Sequence, residues 1–114
     1  MKLVFIASPF RARTEWGRAE NVRAAERWAL EVWKLGAVAI CPQANSALFQ
    51  DECPDEVFLE GYRELLRRCD ALLVTGVLSE GVRAEMACAA TLGMPTFRSL
   101  AELSVWLRTF GPFV

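Results

Sequence analysis

The sequence contains no histidine. That absence excludes Ser-His and Cys-His nucleophilic arrangements. With no CxxC pair either, it also excludes a zinc site built on paired ligands. The four cysteines, Cys41, Cys53, Cys69 and Cys88, lie 12, 16 and 19 residues apart. A chain that is 54% hydrophobic has its own core and needs no disulfide staples, so a reduced, cytoplasmic protein is expected. Lysine is scarce, two against eleven arginines, and the net charge is −1. No basic surplus is available for polymeric nucleic acid. Long apolar runs are missing too: stretches such as "LVFIA" fall far short of the roughly 20 residues of a membrane span. The opening "MKLVFIASPF" is too short in its apolar part for a signal peptide, and no small-residue cleavage site follows. No membrane partner is expected.

What is present is an alternation of strand and helix, read as one domain over residues 1–114. "KLVFIAS" (2–8), "AVAIC" (37–41), "DALLVTG" (70–76) and "MPTF" (94–97) are short, continuous apolar runs, the pattern of strands buried on both faces. Between them, "VRAAERWALEVWKLG" has Val22, Ala25, Trp28, Ala29, Val32 and Trp33 at helical spacing, after a loop broken by Pro9 and Gly17. Residues 54–68 form a second helix with Pro54 at its start; a third runs from Ser79 to Leu92 and is ended by Gly93. Ser99 and Glu102 have capping-box spacing ahead of the last helix. Residues 43–53 have no period and read as an irregular loop. The sum is an α/β fold, flavodoxin-like or Rossmann-like: a three-layer sandwich around a mainly parallel sheet of four to five strands. Trp16, Trp28, Trp33 and Trp106 are more bulk than one small core holds, which predicts a homodimer or larger assembly.

In such folds ligands bind beyond the carboxyl ends of the strands. Three segments meet there: the loop after the first strand, with Ser8, Pro9 and Arg11; the loop from residue 42; and the stretch "VLSEGVRAEMACAATLG". No GxGxxG follows the first strand, so the dinucleotide fingerprint is missing. A hydroxyl and a guanidinium on that loop can instead clamp a phosphate or carboxylate, or serve only as loop chemistry. Ser79 is an N-cap by default, and Gly81 leaves backbone room for an anion at the helix end. Capping without a ligand is an equally good account of S-x-G. Glu85, a little over one turn further, has two readings of similar weight. It is either a surface carboxylate paired with an arginine, or a nucleophile or charge stabiliser for glycosyl chemistry.

The segments "FIASPFR", Asn21, "GAVAICP", "LLRRCDALLVTG" and "SEGVRAEMACAATLGMP" carry a resemblance. In order and spacing the chain resembles the nucleoside 2-deoxyribosyltransferase-like group, especially its small phage and bacterial members, across about residues 3–98. That group includes nucleoside 5′-monophosphate N-glycosidases. The resemblance implies a flavodoxin-like sheet, a small-molecule nucleoside or nucleotide partner, and cleavage or transfer at an N-glycosidic bond. It implies no metal or organic cofactor. Glu85 matches the group's catalytic glutamate, Ser79 and Gly81 its phosphate or sugar contacts, and Ser8, Pro9 and Arg11 its first binding loop, with Asn21 nearby.

One departure stands out. The group carries an aspartate eight residues before the strand-opening aspartate, here Asp70, to assist the leaving base; this chain has Tyr62. A tyrosine with its ordinary pKa of about 10 is a sluggish acid. Pro42-Gln43 likewise stands where relatives often have Pro-His. Three readings are therefore open: an N-glycosidase or deoxyribosyltransferase, a non-catalytic nucleotide-binding module, or a structural α/β protein whose Ser79 only caps a helix.

Overall fold

The structure, a computed structural model, describes residues 1–111. Among these, four strands form one all-parallel sheet: β1 Leu3–Ala7, β2 Val38–Ile40, β3 Ala71–Val74 and β4 Thr96–Phe97. Their order is β2-β1-β3-β4. The chain therefore builds outward from β1 to one side, then crosses over and builds to the other. The reversal falls between β1 and β3, where side chains and loops part to leave a crevice. The helices are α1 Glu15–Lys34, α2 Pro42–Asn45, α3 Asp55–Arg67, α4 Glu80–Thr91 and α5 Leu100–Arg108.

Alternation along the strands sorts the core into two layers. Val4 and Ile6 of β1 and Ala71 and Leu73 of β3 face Ala25, Ala29 and Val32 of α1 and Leu103 and Leu107 of α5. Phe5, Ala7, Leu72 and Val74 face the other way, onto Leu66 of α3 and Val82 and Ala89 of α4. Each large side chain so buried contributes about 1.5–3 kcal/mol. Covering helices on both faces explain why these strands read as unbroken apolar runs. At the amino edge Asp70 accepts the Leu3 N–H at 2.7 Å, which fastens the start of β1 beside β3. The sheet is thus the expected parallel α/β sandwich.

Two local expectations change. Helix α1 starts at Glu15, before Gly17, because Thr14 acts as its N-cap and accepts the Gly17 N–H at 3.0 Å. Gly17 is a contact residue rather than a breaker: a Cβ there would come within 2.8 Å of the Ala12 Cβ. The stretch expected to be irregular contains α2 and a 3-10 turn, Gln50–Glu52, both too short to show a period. The capping expectation holds: Ser99 accepts the Glu102 N–H at 3.1 Å at the start of α5. On the exposed face of α3, Glu64 is ion-paired with Arg67 and Arg68. Of the four tryptophans, Trp28 and Trp106 pack against the core, whereas Trp16 and Trp33 are exposed.

Candidate active cleft

The carboxyl edge of the sheet is held by side chain to backbone contacts. Gln43, buried just after β2, donates its amide to the Ile6 carbonyl at 3.2 Å and the Ser8 carbonyl at 2.8 Å. Gly76, after β3, has φ 71° and approaches Pro9 so closely that a Cβ would lie 3.3 Å from its Cδ. Both constraints set the exit of β1, and with it Ser8. Asn21 acts on the same loop from α1, donating to the Phe10 and Arg11 carbonyls at 3.2 Å each. Expected as a binding residue, Asn21 is not among the side chains that line the cleft. Its amide is spent on the loop backbone.

A cleft of about 540 Å³ opens where these segments meet. Ser8, Pro9, Phe10 and Arg11 form one wall, and Pro42, Gln43 and Gln50 its back. Helix α3 contributes Asp55, Phe58, Leu59, Tyr62, Arg63 and Leu66, which recur at three- and four-residue steps on one face. Helix α4 contributes Ser79, Glu80, Gly81, Val82, Ala84, Glu85 and Cys88. Ser8, Ser79, Gly81 and Glu85, singled out from sequence, thus share one crevice at the topological switch.

The first turn of α4 shows why. Ser79 Oγ accepts the Val82 N–H at 3.3 Å, leaving the amides of Glu80 and Gly81 ahead of the helical hydrogen-bond register. A Cβ at Gly81 would meet nothing within 4 Å, so packing does not require a glycine there. Open space beside free amides is what an approaching ligand would use. Glu80, in the same turn, partly offsets the positive end of the helix dipole.

Glu85 lies partly buried in the wall of the cleft, and among the described residues no lysine or arginine forms an ion pair with it. Burial alone pushes its carboxyl from 4.5 up to about 8. The bland expectation of a surface carboxylate paired with arginine does not describe it. At neutral pH the group is mostly a protonated acid.

Tyr62 reaches the cleft, but its hydroxyl is engaged elsewhere. It donates to Ser46 Oγ at 2.5 Å and accepts from the Asn45 amide at 3.2 Å, while Ser46 donates onward to Gln50 Oε1 at 2.8 Å. This chain ties α3 to the segment after β2, and it commits the one proton Tyr62 could give. A second depression of about 450 Å³, lined by Phe49, Val57 and Leu65 among others, shares Phe58 and Tyr62 with the cleft. Arg11 is also engaged: its guanidinium is 2.5 Å from the Asp55 carboxylate, across the mouth of the cleft.

Several lining residues were not singled out from sequence. Asp55, Arg63 and Cys88 follow from helical phase once α3 and α4 are known to face each other, a fact no local pattern carries. Gln43 stood out only for the histidine it lacks; its carbonyl contacts depend on β1 and β2 being neighbours. No group of three or more His, Cys, Asp or Glu side chains is placed to hold a metal among the described residues.

An open parallel sheet with a cleft beyond its switch point defines the flavodoxin-like class of ligand-binding α/β folds. Within that class the chain belongs to a family described as Domain of unknown function (DUF7768), which matches residues 2–99. Among solved structures it is similar to a 2-deoxyribosyltransferase from the psychrotolerant bacterium Bacillus psychrosaccharolyticus. The TM-score is 0.64 at 18% identity, over 82% of this chain and 69% of that one. The likeness is one of fold, and it agrees with the sheet expected from the sequence. No curated protein matches.

Proposed function

We propose that this protein acts at the N-glycosidic bond of a nucleoside or nucleoside 5′-monophosphate, as a hydrolase or deoxyribosyltransferase, through Glu85. The observation that carries the reading is the convergence of Glu85, Ser8 and the open first turn of α4 on one cleft at the switch point. The fold likeness to an enzyme characterised for the synthesis of nucleosides supports it. In its ionised form Glu85 attacks the anomeric carbon, or stabilises the positive charge that develops there. The Glu80 and Gly81 amides receive a phosphate or a sugar hydroxyl. Ser8 and the first loop, braced by Gln43 and Asn21, hold the sugar. Tyr62 is a wall and a brace for the neighbouring segment, not the acid, because its proton is given to Ser46.

A second reading, a nucleotide-binding module without catalysis, is favoured by that same commitment of Tyr62 and by the neutral state of Glu85, which spares a bound phosphate from repulsion. One experiment separates the two. Incubating the protein with a panel of nucleosides and their 5′-monophosphates and chromatographing for free base reveals turnover, and calorimetry on the same panel reveals binding. Binding without release of base establishes the module; release that disappears in Glu85→Gln establishes the enzyme. We further propose that the protein works in a reducing compartment, the cytoplasm, its four cysteines being free thiols, and that it self-associates through the exposed side of α1 bearing Trp16 and Trp33.

A further inference from the structure

The two arginines of the cleft are not equivalent. Arg11, itself exposed, is paired with Asp55 at 2.5 Å, whereas Arg63, also exposed, makes no ion pair and no side-chain hydrogen bond among the described residues. Helices α3 and α4 pack side by side on the same face of the sheet. Arg63 lies in the C-terminal half of α3, Glu85 near the middle of α4, and Ser79 at the start of α4. Arg63 and Glu85 thus line one cleft from two adjoining helices, together with the open first turn of α4. Phe58, Leu59 and Tyr62 flank Arg63 with flat and apolar surface suited to a heterocycle.

We propose that Arg63 receives the departing base as an anion, and that the cleft accordingly selects oxo-bases, the 6-oxopurines and 2,4-dioxopyrimidines, over amino-bases. The inference rests on the glycosyl-transfer reading of Glu85. A guanidinium offers five N–H donors, no acceptor and no transferable proton. It matches ring carbonyl oxygens and repels the amino group that adenine or cytosine presents. The chemistry balances without a general acid. The C1′–N bond breaks, both electrons pass to the base nitrogen, and C1′ bonds to the Glu85 carboxylate oxygen. Charge on the base spreads to its carbonyl oxygen, where Arg63 donates. The base anion then takes a proton from water, and the resulting hydroxide displaces the Glu85 carboxylate from C1′. The sum is one water added across the bond. A base with an acidic ring N–H leaves this way far more readily than one that must be protonated first.

The test measures kcat and KM for release of base from 2′-deoxyinosine, 2′-deoxyuridine, 2′-deoxyadenosine and 2′-deoxycytidine, each with and without a 5′-phosphate. A 4-nitrophenyl 2-deoxyriboside, whose leaving group is already a stable anion, completes the set. Wild type is expected to favour the oxo-bases by about tenfold or more in kcat/KM. Arg63→Ala should lower kcat on them by about 10²-fold, as loss of a preorganised donor does, with Arg63→Lys recovering part of the loss. The nitrophenyl substrate should be slowed far less, which also reports that the variant is folded. Equal release of oxo- and amino-bases, or equal slowing of every substrate by Arg63→Ala, overturns the role of Arg63 and leaves the glycosyl reading standing. Release from none of these substrates, the nitrophenyl one included, overturns both.

Discussion

Glu85 combines a reactive group with an environment that holds it neutral. Its carboxyl titrates near 8 because the cleft desolvates it and no cation compensates. If Glu85 is the nucleophile proposed above it must be ionised, so kcat/KM on a neutral nucleoside should rise about tenfold per pH unit below 8 and level above it. A pH–rate profile checks this. Affinity for a phosphorylated ligand should move the opposite way, weakening as the carboxylate forms beside the anion. Stability follows from the same shift. Below pH 4.5 both folded and unfolded chains are protonated at this position; between 4.5 and about 8 only the unfolded chain ionises, so stability falls as pH rises through that window. Above 8 the full cost remains. Glu85→Gln should therefore be more stable than wild type at pH 8.5 and nearly equal at pH 4.5 in urea unfolding, while losing about 10²–10³-fold in turnover.

Helix ends and their braces carry the next set of consequences. Ser79 holds one N–H of α4 through its hydroxyl and leaves the two before it open at the cleft. Ser79→Ala should cost about 1 kcal/mol in stability and raise KM for a phosphorylated substrate more than it lowers kcat. Steady-state kinetics on matched nucleoside and monophosphate show the split. Gln43 satisfies two carbonyls at the exit of β1 from a buried position. Gln43→Ala leaves both without a donor and should cost about 1–3 kcal/mol in denaturant unfolding. It should also impair Ser8-dependent binding although Gln43 is mainly a brace. The Asn45, Tyr62, Ser46 and Gln50 chain works in the same manner between α3 and the segment after β2, so Tyr62→Phe is expected to destabilise that segment without removing an acid from the reaction.

At the scale of the whole molecule, the sheet is symmetric in its burial but not in its surroundings. One face is covered by α1 and α5, the other by α3 and α4, and only the second frames the cleft. On the first face Trp16 and Trp33 of α1 remain 77% and 53% exposed, far beyond what a buried core residue shows. Exposed tryptophans are enriched at subunit contacts. Sedimentation is expected to show a dimer or larger assembly, and replacing both tryptophans by Glu should shift it to the monomer while leaving the cleft intact. A wild-type monomer at high concentration would rule this out.

Local chemistry in the sequence determined the sheet, its helices and most of the edge where the cleft lies. Short unbroken apolar runs bounded by turn residues read as strands covered on both faces, and Ser79 and Ser99 satisfy helix ends from within a few residues. Those are patterns over short separations, which spacing reports directly. The starts of α1 and the short turns between residues 42 and 52 were less legible, because a glycine in a helix and a helix of one turn leave no periodic trace. What only the tertiary structure decided is the state of each group in the cleft. Whether Glu85 is paired or bare, whether Arg11 or Arg63 is the available cation, whether Asn21 reaches a ligand or a loop carbonyl, and where the Tyr62 proton goes all depend on neighbours brought together in space, at separations of 10 residues for Asn21–Arg11 and 44 for Arg11–Asp55. Protonation and availability are set by solvent exclusion and by partners brought together in space, and no run of residues along the chain encodes either by itself.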